Sequence, residues 1–240
     1  MEDRRILGEA GFSTRQGHME RLLPVVDQVL SGLGMTLQDI DAFAVSVGPG
    51  SFTSLRVGMA TAKALAHTLR KPLTGVPTLD ALALGLHGTP GLICPVLTAR
   101  AQEVYASFYV SAPPYAASAV AAVPGPSPQA GAGYPPGGAR QERMKRLSGY
   151  LAVDPRRLAD RLQNDLRAGV TFTGEGALAW WDVLREALGD RAVLAEPAQL
   201  WPRAALVAAV GLGALEQRQG DTRLPAIRAL YVKPPAIRRK

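Results

Sequence analysis

The sequence predicts an α/β protein of two lobes, each made of strands that feed glycine turns and then helices. Three observations predict this. The chain has 240 residues, comfortable for two small lobes because single cores usually stop growing at about 250 residues. DIDAFAVSVG runs into Gly48-Pro49-Gly50 and then into SFTSLRVGMATAKALAHTL, a strand, a glycine turn and a helix in succession. VTFTGEGALAWWDVLREAL repeats that order in the second half.

The elements follow in chain order. RRILGEAG reads as a short strand, and in HMERLLPVVDQVL the residues Met19, Leu22, Leu23, Val26 and Leu30 recur at the spacing of an amphipathic helix. Pro24 belongs in the first turn of that helix or kinks it, because an interior proline removes a donor and clashes with the preceding turn. Gly32 and Gly34 end it. DIDAFAVSVG fits a buried parallel strand. The helix after it is apolar over more than half its girth and is expected to be covered on two sides.

KPLTGVPTLDALALGL gives a further strand and helix, and GLICPVL another strand. The alternation in EVYASFYV marks a strand of an antiparallel hairpin. The first lobe is placed at residues 1–94 and the second at 95–240. Residues 111–139, rich in Ala, Pro and Gly and without charge, read as a low-complexity loop. A basic helical connector follows, then the second strand–turn–helix unit with Leu178, Trp181, Leu184 and Leu188 as its buried stripe. RAVLAE and WPRAALVAAVGLGALEQ continue as strand and helix, and PAIRALYVKPP as an extended segment packed back on the body.

Composition narrows the function classes. With 47% apolar, 20% charged and 6% aromatic residues the chain is an ordinary globular protein packed with Ala, Leu and Val. Cys94 is the only cysteine, so neither a disulfide nor a multi-cysteine metal site is available. MEDRRILGEAG has charges where a signal peptide needs an apolar core, and Pro and Gly interrupt every apolar run, so export and membrane insertion are not expected and a cytoplasmic location is. The net charge of +7 speaks to solubility and non-specific association rather than to a site. Arg140, Arg143, Lys145, Arg146, Arg156, Arg157 and Arg161 supply much of it, together with the tail Arg238 to Lys240.

The stretch VSVGPGSFTSLRVGMATAKALAHTL carries the strongest functional signal. A strand entering a glycine turn and a helix aims free backbone N–H groups and the positive helix end at what lies in front, with phosphate the obvious ligand. Gly48 and Gly50 would allow close approach, and Ser51 or Thr53 would cap the helix or contact an oxygen. GPGSFTS is neither a Walker A sequence nor a dinucleotide fingerprint. On spacing alone a purely structural turn ranks ahead of a phosphate cradle.

VSVGPGSFTSLRVGMATAKALA, preceded by HMERLLPVVDQVL and followed by KPLTGVPTLDALA, resembles the bacterial TsaB (YeaZ) family, whose hallmark reads GPGSFTGLR. The likeness continues through TARAQEVYASFYV, FTGEGA, WPRAALVAAVG and ALYVKPP, leaving out residues 111–148. It implies an actin-like, two-lobed α/β fold of the acetate kinase and Hsp70 group, each lobe a mixed sheet with flanking helices. It also implies a scaffold role in making N6-threonylcarbamoyladenosine at position 37 of tRNA, without catalytic activity alone. The implied partner is TsaD, the catalytic paralogue, paired through first-lobe helices in a heterodimer. TsaE joins the larger assembly, TsaC or its relatives make the threonylcarbamoyl-adenylate, and tRNA is met through the complex. Pairing of two copies when alone stays open, and any ATP or ADP is expected at the interface with the partner.

The residues fit a non-catalytic copy. Where the TsaD sister carries a His-x-x-x-His metal pair, this chain has Thr78, Leu79, Asp80, Ala81 and Leu82, and His18, His67 and His87 are scattered over three elements. No catalytic residue and no metal ligand is assigned. Ser54 stands where the family has Gly, and Thr98 where it has Asp, which removes a carboxylate. The chain opens at what resembles the family's third strand, so the first lobe is expected to be N-terminally incomplete and a complete protein to begin upstream with an Asp-containing strand and loop.

The expected partner surface combines Leu22, Leu23 and Val26 of the first helix with Phe52, Leu55, Arg56, Met59, Ala62 and Lys63 of the second, a flat apolar ridge flanked by charge. Small residues such as Gly58 would let helices approach closely. Two rival readings are a stand-alone nucleotide-dependent transferase or kinase of the same fold, and a tRNA-binding module using Arg140 to Arg161. The first needs a phosphate loop and an acidic base. The second lacks interleaved aromatic residues.

Overall fold

The computed structural model describes residues 5–12, 18–100, 102–111, 144–165, 168–216 and 227–232. Arg5 makes an isolated bridge and residues 6–12 have no regular structure, so the strand expected over RRILGEAG does not form. Gly8 instead packs on the first helix, where a methyl group in place of its hydrogen would lie 3.2 Å from Val29 Cγ1. Glu9 is drawn to the far end of the chain.

Helix α1 spans His18–Gly32 with Pro24 inside it, beyond the first turn. Pro24 is exposed, as is Glu20, whose carbonyl loses its helical partner to the proline. Strand β1 (Phe43–Gly48) pairs in parallel with β2 (Leu73–Pro77), from Phe43 opposite Leu73 to Gly48 opposite Pro77. Between them runs α2 (Phe52–Leu69), closed by Arg70 in a left-handed conformation that lets its N–H reach His67 O. Among the described residues these two strands form a two-stranded sheet.

Strand alternation divides the sheet between two helices. Phe43, Val45, Val47 and Leu73 face α2 and pack with its Met59 and Ala66. Ala44, Thr74 and Val76 face a helix from the other end of the chain, α7 (Ala204–Glu216). The contact is so close that a methyl group at Gly211 would sit 2.6 Å from Ala44 Cβ and 2.8 Å from Thr74 Cγ2. Only Met59 and Ala66 of α2 are buried, so that helix is covered on one side, not on two.

Helix α3 (Thr78–Leu84) leaves β2 directly and leads to β3 (Leu92–Thr98), the spine of a seven-stranded sheet. On one side β3 pairs in parallel with β8 (Val170–Thr173), which pairs in turn with β9 (Ala192–Leu194). On the other side EVYASFYV runs antiparallel to it as two short strands in one register, β4 (Val104–Ala106) and β5 (Tyr109–Ser111). The gap falls at Ser107 and Phe108, opposite Pro95 and Cys94, because a proline has no N–H to give the ladder.

The basic connector is not one helix. It forms β6 (Met144–Arg146) on β5 and β7 (Leu151–Val153) on β4 before α4 (Pro155–Asp165) begins. Met144 is buried and Arg146 turns inward, which a solvated helix would not allow. The helix after β8 breaks at Trp180 into α5 (Glu175–Ala179) and α6 (Trp181–Leu188). That break shifts the phase: Leu184 and Leu188 are buried and Trp181 packs against the core, but Leu178 is exposed. The core of this half gathers Phe108, Leu158, Leu162, Phe172 and Leu184.

The expected lobe boundary at Cys94 falls inside β3. The chain also returns, since α7 and residues 227–231 pack on the first sheet although they were placed in the second lobe. PAIRALYVKPP does pack back: Ile227 and Leu230 are buried and Leu230 N donates to Val47 O at 2.8 Å. The low-complexity segment lies outside the described residues from residue 112 on.

Candidate functional site

Of the residues the sequence pointed to on α1 and α2, all but one are at least partly exposed. Leu23 on α1 and Phe52 on α2 are exposed at 53% and 42%, and Arg56 is exposed beside Phe52. Leu22, Val26, Leu55, Ala62 and Lys63 are half-buried along the helix pair. Met59 is the exception: at 8% exposure it belongs to the core with Val47 and Leu73 and offers nothing to a partner.

A residue that sequence reasoning missed completes the patch. Tyr231 follows the anchored Leu230 and stands 47% exposed, its ring centroid 6.4 Å from that of Phe52. The Arg56 guanidinium lies 3.8 Å from the Phe52 centroid, and its Nη2 donates to Tyr231 Oη at 3.4 Å. Two aromatic rings and an arginine in mutual contact have the composition of interface hot spots. The signal in ALYVKPP was its tyrosine next to an apolar anchor, but its neighbour Phe52 is 179 residues away in sequence and periodicity cannot reveal it.

The glycine turn is filled from within. A methyl group at Gly48, whose φ is +109°, would meet Leu55 Cδ1 at 3.0 Å and Leu230 O at 3.2 Å. At Gly50 it would lie 3.8 Å from Leu55 Cδ1. Gly48 is thus required by its positive φ and by the chain's own Leu55 and C-terminal segment, whereas Gly50 has room for a side chain. Ser51 makes no side-chain bond to the helix end and instead accepts from Ser54 Oγ at 3.1 Å, so the family departure at 54 occupies the hydroxyl nearest the turn. Thr53 is exposed.

The segment Thr78 to Leu82 begins α3. Ser46 Oγ and Thr78 Oγ1 lie 2.6 Å apart, which ties the helix to β1, and Leu79 and Leu82 are buried. His67 and His87 are exposed on separate elements. Among the described residues no three His, Cys, Asp or Glu side chains converge on one point. No helix among them is long and apolar enough to cross a membrane.

The second departure also has a structural outcome. Thr98 N donates to Glu175 Oε1 at 2.9 Å, and the Thr98 hydroxyl donates to Glu175 Oε2. An aspartate at 98 would face that carboxylate with like charge, whereas threonine receives it. Gly174 and Gly176 let this turn lie on β3, since a methyl group at Gly174 would come within 2.1 Å of Val96 O. Of the basic connector, Lys145, Arg156, Arg157 and Arg161 are exposed, and Arg140 and Arg143 lie outside the described residues.

Comparison with known proteins places this arrangement. The sequence profile of the family described as TsaD, tRNA N6-adenosine threonylcarbamoyltransferase, matches residues 11–235. A tRNA threonylcarbamoyladenosine biosynthesis protein TsaB of Bacillus subtilis is 37% identical over 95 residues, which is 40% of this chain and 42% of that protein. The TsaB of Escherichia coli is 39% identical over 94 residues, 38% of this chain and 41% of that protein. An uncharacterized protein of Mycobacterium tuberculosis is 42% identical over 104 residues, 43% of this chain and 48% of that protein. The chain spans under half the length of these curated relatives. Its fold matches the solved structure of YeaZ from Pseudomonas aeruginosa with a TM-score of 0.65 at 24% identity, over 90% of this chain and 84% of that one. With the profile running through both sheets and proteins named TsaB among the relatives, the chain belongs to the TsaD family of tRNA N6-adenosine threonylcarbamoyltransferases and resembles its TsaB members.

Proposed function

We propose that this protein is a docking subunit in tRNA threonylcarbamoyladenosine biosynthesis, pairing through the outer face of α1 and α2 with a catalytic TsaD-type partner. The observation that carries it is the exposed cluster of Phe52, Arg56 and Tyr231 on α2, a helix whose Met59 and Ala66 already cover the first sheet, together with Leu23 exposed on α1. The names of the Bacillus subtilis and Escherichia coli relatives support the pathway.

In this reading the chain has no catalytic activity alone, and TsaE and tRNA are met through the assembly. Any ATP or ADP binds at the partner interface, since Leu55 and the Leu230 carbonyl crowd the glycine turn that would otherwise cradle a phosphate.

Co-elution of the purified protein with the TsaD of the same cell tests the proposal. Leu23→Glu and Phe52→Glu should abolish co-elution while leaving the circular dichroism unchanged. Co-elution that survives both substitutions would place the interface elsewhere. Absence of pairing by the wild-type protein would sink the proposal itself.

A further inference from the structure

One buried polar cluster lies outside the docking patch. Asp80, on α3 at the end of β2, has a side chain only 11% exposed. Its Oδ1 accepts from Tyr109 Oη at 2.5 Å and from Tyr150 Oη at 2.9 Å. Arg146 Nη1 stands 3.5 Å from the same oxygen, and the Arg146 guanidinium lies 4.3 Å from the Tyr150 ring centroid. These three groups come from β5, β6 and the turn before β7, all in the second sheet. Asp80 reaches them from α3, whose first residue is bonded to Ser46 of the first sheet.

Helix α3 is tied at both ends of its first turn. The Ser46–Thr78 pair holds it to β1, and two residues on Asp80 holds it to the second sheet. The surrounding contacts, Leu79 and Leu82 against Leu97, Tyr105 and Tyr150, are apolar and tolerate sliding. Hydrogen bonds do not, because their strength falls steeply with angle and distance. Three donors meeting on one oxygen can be satisfied at one placement of the sheets only. Yet this cluster is poorly made for stability: the carboxylate is desolvated and Arg146 Nε is buried without a partner. A buried ion pair of this kind adds little net stability, and its best-attested use is to fix one arrangement against its competitors.

We infer that Asp80 is an orientational latch, which sets the angle between the first and second sheets through Tyr109, Tyr150 and Arg146. The inference does not depend on the docking reading. It describes an interior contact between the two halves of one chain.

Distances between spin labels test it in the whole protein. Labels at Ala64→Cys on α2 and Arg157→Cys on α4, both exposed positions, report the angle between the sheets. Labels at Arg157→Cys and Val193→Cys report the second half alone. Cys94 is buried and stays unlabelled. In the Tyr109→Phe, Tyr150→Phe double variant, which keeps both rings and removes both donors, the first distribution should widen roughly twofold as further arrangements become populated. The second should not change. Asp80→Ala, which removes the shared acceptor, should give the same result. An unchanged first distribution in both variants overturns the latch, and so does equal widening of both label pairs, which would mean general loosening.

Discussion

The Glu9 carboxylate grips the Arg203 guanidinium, with Nε donating to Oε2 at 3.1 Å, while its other oxygen accepts from the N–H of Ala205 at 3.0 Å. A residue near the start of the chain therefore caps the first turn of α7, where free N–H groups and the helix dipole favour a negative charge. Burial alone would raise the Glu9 pKa. The Arg203 hydrogen bond and the backbone N–H groups of Ala205 and Ala204 outweigh it and hold the carboxyl below its ordinary value.

Replacing Glu9 with Gln should cost about 0.5–1 kcal/mol at neutral pH, the range for a solvent-screened charge at a helix end. The sign of the pH dependence follows from the lowered pKa. The contribution is fully present above the ordinary glutamate range and is lost as pH falls through the lowered folded value. Urea unfolding at neutral pH and in acid should show the wild type converging on the Gln variant as the pH drops.

Gly211 and Gly58 should respond to alanine in opposite directions. At Gly211 the methyl meets Ala44 and Thr74, so overpacking of about 1–3 kcal/mol outweighs the helix-propensity gain. At Gly58 nothing lies within 4 Å of the added methyl, and the substitution should stabilise the isolated protein by about 0.5–1 kcal/mol. Urea midpoints at constant slope would separate the two. If a helix packs against α2 as proposed, Gly58→Ala will also weaken pairing while it stabilises the monomer.

Cys94 should be inert in the native state. Its side chain is fully buried, and burial pushes the thiol pKa far above the range where thiolate forms. Reaction with an aromatic disulfide reagent should be slower than in denaturant by more than about 100-fold, since it needs a substantial opening of the fold. A native rate equal to that of a free thiol would contradict the placement of β3 at the centre of its sheet.

Met59→Glu and Tyr231→Ala should behave differently although both lie near the docking patch. The first buries a charge beside Val47 and Leu73 and should unfold the protein. The second removes an exposed ring and should leave folding intact while weakening pairing with the TsaD-type partner by about tenfold or more. Thermal melts and co-elution read the two effects separately.

The sequence disclosed what local periodicity can carry. β1, α2, β2 and β3 follow the breaks at Gly48 and Gly50 and the change of hydrophobic period, and the TsaB likeness rests on those elements. What it withheld depends on contacts distant in the chain. AALVAAVGLGALE is apolar on every side, so nothing local tells which sheet α7 will cover. The fit of Gly211 over Ala44 and Thr74 decides that. The gap in EVYASFYV belongs to Pro95 on the neighbouring strand, and the connector's strands take their partners from β5 and β4, with Arg146 reaching Asp80. The patch was half legible: Leu23, Phe52 and Arg56 sit on predicted helix faces, but Tyr231 joins them through the backbone bond of Leu230 to Val47.

That return of the chain sets an order on its birth. During synthesis β1, α2 and β2 leave the ribosome long before Gly211 and Leu230 exist, so Ala44, Thr74 and Val76 wait with one face uncovered. The seven-stranded sheet can close around β3 once β9 has emerged, whereas the half made first is finished last. A nascent chain paused before residue 204 is therefore the species most exposed to aggregation.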